Sequence, residues 1–168
     1  LQFKEKFYSF LKGIKDVDSM VELFWNENQD KIKDWYLKSK EESDVIISAS
    51  PEFLLNTICR RIGIKHLIAS EVNKDTGICE NCYGEEKVLR FKKYFEKGEI
   101  KKFYSDSLSD APISLMASER YIVSGNNILP WDQYSPGKVK KLKNIFFTKE
   151  FFTFLIVGGI NTINGIVF

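Results

Sequence analysis

Between Asp44 and Asn127 the chain alternates short apolar runs with helical stretches, and this alternation limits its fold more than any other feature. Val45-Ile46-Ile47 is a buried-strand signal, broken by Ser48-Ala49-Ser50-Pro51. Phe53 to Ile62 carries helical spacing, and Gly63 stops it. Lys65 to Ser70 reads as a second short strand, with a turn at Asn73-Lys74-Asp75-Thr76-Gly77. Glu85 to Phe95 is helical and closes at Lys97-Gly98. Ile100 to Tyr104 and Arg120 to Val123 are further strands, the latter ending in Ser124-Gly125-Asn126-Asn127. Strands alternating with helices indicate βαβ units and a largely parallel sheet. The expected class is therefore α/β.

Residues 1–43 have a different texture. Phe3, Phe7, Phe10, Leu11 and Ile14 recur at helical spacing, and Asp18 or Ser19 can cap a second helix through Met20, Val21, Leu23, Phe24 and Trp25. A third helix runs through Ile32, Trp35, Tyr36 and Leu37. Aromatic stripes of this kind most simply face a packed core. The sequence opens at Leu1 inside an amphipathic pattern and stops at Phe168 inside an apolar run, so an internal piece of a longer protein is expected.

A formal net charge of +2 carries no global basic excess and argues against nucleic acid as the main partner. Three cysteines without a secretory leader point to a reducing compartment and no disulfide framework. Cys79-x-x-Cys82 lacks a complete second ligand pair, with only Cys59 and His66 remaining, so it reads as a plain turn rather than a zinc knuckle. His66 lies in a strand signal and reads as structural.

The chemistry concentrates after the strand at Ile100 to Tyr104. Ser105-Asp106-Ser107-Leu108-Ser109-Asp110 is an acidic, hydroxyl-rich loop, and Pro112 with Ile113, Leu115 and Met116 starts a helix after it. Asp106 and Asp110 then project from the carboxyl edge of a sheet, where open α/β sheets bind ligands. Two carboxylates on such a loop suit a hard divalent cation such as Mg2+. The plain alternative is an acidic surface loop with an N-cap.

Three stretches in order complete a pattern: Ile47-Ser48-Ala49-Ser50-Pro51, Asn81-Cys82-Tyr83-Gly84-Glu85-Glu86-Lys87, and Tyr104-Ser105-Asp106-Ser107-Leu108-Ser109-Asp110-Ala111-Pro112. Over about residues 1–130 the chain resembles the haloacid dehalogenase (HAD) superfamily of phosphatases, most closely its phosphoserine-phosphatase-like branch. The resemblance implies a Rossmann-like parallel sheet, a helical cap and a Mg2+-dependent phosphomonoester hydrolase working through an aspartyl-phosphate. It implies that Ser48 and Lys87 bind the substrate phosphate, that Asp106 ligates Mg2+, and that Asp110 orients Asp106 or Lys87. The catalytic set is then Ser48, Lys87 and Asp110. Ser105 stands where relatives often have glycine, which implies a tighter loop with unchanged chemistry. The family's Asp-x-Asp nucleophile motif follows a buried strand. Asp16-Val17-Asp18 does not qualify, because Lys15 precedes it and the interval to Ser48 is too short for a cap. The nucleophile is expected before Leu1, which would leave this chain inert by itself.

Residues 151–168 carry no charge. As a helix they would span about 27 Å, near the thickness of a bilayer core. Gly158, Gly159 and Gly165 suit a membrane helix, and Lys138, Lys140, Lys141 and Lys143 place the soluble part on the cytoplasmic side. Phe152 to Asn164 is similar to the opening of a GtrA-like membrane domain, a family associated with moving polyprenyl-phosphate-linked sugars. The expected organisation is a cap at 1–43, an α/β core at 44–137, a basic juxtamembrane linker at 138–150 and a first transmembrane helix at 151–168. The expected protein is a phosphatase at the cytoplasmic face of the cell membrane, acting on a phosphorylated small molecule or a lipid-linked substrate. The alternative is a non-catalytic accessory domain of a GtrA-like transporter.

Overall fold

The computed structural model describes Tyr8, Leu11, residues 13–96 and residues 98–134. The expected linker and membrane helix, 138–150 and 151–168, lie outside the described residues. The described chain forms two compact units that divide between Cys82 and Tyr83. This boundary falls inside the interval expected as one α/β core, and the helices before residue 44 belong to the first unit.

In the first unit, helix α1 (Val17–Asn28) begins at Asp16, whose carboxylate accepts the Ser19 N–H at 2.9 Å and the Ser19 hydroxyl at 2.6 Å. The cap is thus Asp16, not Asp18 or Ser19. All three carry a suitable oxygen, and Asp16 is the one whose side chain reaches an N–H that has no partner within the helix. A 3-10 turn (Gln29–Lys31) and helix α2 (Asp34–Ser39) follow. Strand β1 (Val45–Pro51), helix α3 (Glu52–Ile62) and strand β2 (His66–Val72) then make a βαβ unit, with β1 and β2 parallel from Val45↔His66 to Ile47↔Ile68. β1 runs through the Ser48–Pro51 stretch expected to break it, with a register irregularity between Ile47 and Pro51.

Helix α3 forms because Leu54, Leu55, Ile58 and Cys59 repeat on one buried face. It ends at Gly63, whose φ of +75° suits glycine, and there Ile64 N–H donates to Cys59 O at 2.8 Å. The buried face packs with Val17, Val21 and Trp25 of α1 and Ala69 of β2. The Trp25 indole N–H donates to Leu54 O at 2.7 Å and locks the two helices in register. Each large apolar side chain buried there contributes about 1.5–3 kcal/mol. Strand β3 (Cys79–Glu80) returns antiparallel to β2 through a turn in which Asn73 Oδ1 accepts the Asp75 and Thr76 N–H groups at 3.0 and 2.8 Å.

The second unit holds helix α4 (Glu85–Tyr94), strand β4 (Ile100–Ser105), a 3-10 turn (Leu108–Asp110), helix α5 (Ala111–Ser114), and strands β5 (Ala117–Ser124) and β6 (Asn127–Pro130). β4 and β5 are parallel, with Ser105 opposite Ile122, and β6 returns antiparallel. The helix expected from Pro112 through Met116 is a single turn that stops at Ser114 and leaves Leu115 exposed. The largely parallel sheet expected is instead two three-stranded mixed sheets. The turns at Asn73–Gly77 and Ser124–Asn127 reverse the chain, and the strands after them, one of two residues and one wholly exposed, carry no apolar pattern.

Candidate active site

The acidic loop after β4 is shaped by its own serines. Ser107 N–H donates to Ser105 Oγ at 3.0 Å, and Ser109 N–H donates to Ser107 Oγ at 3.3 Å. The Ser107 and Ser109 hydroxyls are bonded to each other at 2.7 Å. A serine hydroxyl bonding the backbone two residues on replaces a strand partner and curls the chain. Asp106 sits inside the first of these two turns, and Asp110 follows the second at the start of α5.

Lys87 is the third residue of α4, just past Gly84, whose φ of +59° lets the chain turn into the helix. Lys87 and Asp110 are 6% and 8% exposed, and their Nζ and Oδ1 atoms are 2.5 Å apart. A buried ammonium is tolerated when a counter-charge and hydrogen bonds meet it. The second oxygen of Asp110 is also engaged, since Ser105 Oγ donates to Oδ2 at 2.8 Å. Asp110 is therefore filled by protein donors on both oxygens, while Lys87 keeps two N–H donors for another acceptor.

Asp106 is the opposite case. It is exposed, and among the described residues no other side chain bonds or pairs with its carboxylate. Its carboxyl is held above the usual carboxylate range, first by partial withdrawal from water and also by the nearby Asp110 charge. Its own backbone N–H and the Lys87 ammonium pull it back down. Among the described residues no three His, Cys, Asp or Glu side chains gather as a metal cluster. A magnesium ion asks for only one or two protein carboxylates and completes its shell with water and substrate oxygens. The free carboxylate of Asp106 fits one such ligand, and the filled carboxylate of Asp110 fits none.

Ser48 belongs to the first unit and lies within β1, three residues before its end. Its Oγ accepts the Ser50 N–H at 3.1 Å, and among the described residues its proton has no acceptor. Behind it, the fully buried Ser70 donates to Ala49 O at 2.9 Å and accepts the Cys82 N–H at 2.9 Å, tying the chain after β3 to β1. Cys79 and Cys82 are both buried, 2% and 0% exposed, and neither is in a disulfide among the described residues. A groove of the first unit lies among ion-paired side chains, Asp18 with Lys74 and Glu22 with Arg60, and is lined by none of the site residues.

The structure thus brings Lys87, Asp110 and Asp106 into one neighbourhood and places Ser48 in the other unit. The sequence reading gave Ser105 no chemical part, yet its hydroxyl touches Asp110 directly. The family model for haloacid dehalogenase-like hydrolases matches residues 1–114, which include all five of these positions. No curated protein and no solved structure matches the chain. The chain belongs to the haloacid dehalogenase-like hydrolase family.

Proposed function

From that membership we propose that the chain is the phosphate-handling part of a Mg2+-dependent phosphomonoester hydrolase. The observation that carries this reading is the contrast between the two carboxylates: Asp110 is spent on a buried lysine, and Asp106 is left open beside it. Lys87 would use its two remaining donors on the phosphoryl oxygens and neutralise charge that grows there during transfer. Asp110 holds the ammonium in place. Ser48 would donate its free proton to another phosphoryl oxygen. Asp106 would hold the magnesium ion, which when bound supplies positive charge to the same oxygens. The phosphoryl group passes to a carboxylate nucleophile with loss of the alcohol, and water then hydrolyses the acyl phosphate. That nucleophile would belong to an Asp-x-Asp sequence after a buried strand, and helices α1 and α2 would serve as the cap.

The uncharged stretch 151–168 and the lysines before it support tethering at the cytoplasmic face of a membrane, with a lipid-linked phosphomonoester as substrate. Each lysine near an anionic leaflet gains about 1 kcal/mol. The test uses the full-length protein, a generic aryl phosphomonoester and Mg2+. Turnover is expected, with a loss of about a hundredfold to a thousandfold in Lys87→Met. Full activity in Asp106→Ala would remove the metal assignment, and no turnover across a broad substrate panel would leave a non-catalytic accessory domain. A topology reporter fused after Phe168 should fractionate with membranes, and its recovery in the soluble fraction would rule out the tether.

A further inference from the structure

Ser105 joins the Asp110 carboxylate to the turn that carries Asp106. Its hydroxyl donates to Asp110 Oδ2 at 2.8 Å and accepts the Ser107 N–H at 3.0 Å. A hydroxyl has one proton, and the charged carboxylate claims it over Ser107 O, which lies at 3.3 Å. The accepted bond closes the turn in which Asp106 stands. The donated bond fixes Asp110 on the side away from Lys87, whose Nζ is 2.5 Å from the other oxygen. Ser105 is also nearly buried, at 9% exposure, so water competes poorly for either bond. A glycine or alanine at this position would lose both bonds.

We propose that Ser105 is a positioning residue of the active site: one hydroxyl sets the Asp106 carboxylate at a fixed spacing from the Lys87–Asp110 pair. The kinetic consequence rests on the phosphohydrolase reading above, and the anchoring of Lys87 rests on geometry alone. Alanine at Ser105 strands Asp110 Oδ2 and frees the Asp106 turn, so the ammonium and the metal-binding carboxylate lose their common reference. Binding of substrate survives and the transfer step suffers.

The experiment compares full-length wild type with Ser105→Ala, Ser105→Thr, Asp110→Ala and the Ser105→Ala/Asp110→Ala double variant. On a generic aryl phosphomonoester with Mg2+, kcat of Ser105→Ala is expected to fall on the order of tenfold or more with KM nearly unchanged. Ser105→Thr, which keeps the hydroxyl, should recover most of the loss. In the Asp110→Ala background the Ser105 substitution should cost little further, because Ser105 acts through Asp110. Independently of turnover, acylation of the Lys87 amine, read by peptide mass spectrometry, should be several-fold faster in Ser105→Ala while that of the exposed Lys102 stays constant. An Ser105→Ala protein with unchanged kcat, or a loss that adds in full to that of Asp110→Ala, overturns the positioning role. If wild type shows no turnover, the phosphohydrolase reading fails alone, and the labelling decides: faster Lys87 acylation supports the anchoring, and an unchanged rate overturns it.

Discussion

The two units follow the same path and fill it with different matter. Each lays down a parallel strand pair and then turns back for a third, antiparallel strand. In the first, the crossover is an 11-residue helix whose buried face joins α1 in an apolar core. In the second, the crossover is a serine-curled loop and a helix of four residues. Lys87, Ser105, Asp110 and Ser114 are buried there beside Phe91, Ile113 and Ile122. Apolar burial is non-directional and tolerates repacking, whereas a buried ion pair is indifferent to stability until one partner is removed. The same topology can therefore serve as a support or as a holder of charge, depending on what crosses over.

The comparison breaks first, if it is wrong, at Trp25. Trp25→Ala removes a buried indole and its bond to Leu54, and about 4 kcal/mol of stability should go with it in urea unfolding followed by circular dichroism. A loss under about 1 kcal/mol would mean that α1 does not belong to that core. Next comes the charge in the second unit. Asp110→Ala should cost about 3 kcal/mol by leaving the Lys87 ammonium buried and unpaired, while the double change Lys87→Met with Asp110→Leu should come back near wild-type stability. Equal losses in the single and double variants would show that the cost of Asp110→Ala is not that of an unpaired ammonium.

Third is a pH effect at Cys59 in the first unit. Burial pushes the Cys59 thiol up from its ordinary 9.0 to about 11. Unfolded protein then gives up the Cys59 proton before folded protein does, so stability is fully present below pH 9 and falls as pH rises toward 11. The loss is about 2 to 3 kcal/mol at the top of that window. Burial raises Tyr8 and Tyr36 as well, so the measurement compares the slopes of wild type and Cys59→Ala, and the difference should be one thiol's worth. The smallest effect tests what the units share. Gly63 and Gly125 hold φ of +75° and +62°, and alanine at either should cost about 1 kcal/mol. A much larger loss at Gly63 alone would extend the difference between interiors to the turns.

What could be read from the sequence was what is local and periodic. The stripe of Leu54, Leu55, Ile58 and Cys59 with Gly63 behind it marks a helix and its stop, and Asn73 through Gly77 marks a turn by the bonds that its side chain makes to its own backbone. The limits of β1 were not legible, because Ser48 to Ser50 are small and polar, and the strand runs on through a register irregularity before Pro51 pairs with Ser70 of β2. β6 escaped because Asn127 to Pro130 is exposed throughout, so no alternation marks it. The cap at Asp16 was hidden by Asp18 and Ser19, which have the same chemistry two and three residues on. At the site, Lys87, Asp106 and Asp110 could be picked out as types in order. That Ser105 would bond Asp110 five residues later depends on two successive serine turns, and a residue pattern does not carry that geometry.

The bond from the Trp25 indole to Leu54 also makes the molecule report on itself. An indole buried at 6% exposure and hydrogen-bonded to a carbonyl emits from a fixed, largely apolar surrounding. Trp131, in the second unit, lies half-buried with its ring centroid 6.3 Å from that of Phe103. With Trp35 replaced by Phe, each unit retains one described tryptophan, and the two sit in unlike surroundings. Their fluorescence colours separate accordingly, so a single unlabelled sample of that variant would display the melting of the apolar interior and of the charged one as two distinguishable spectral events.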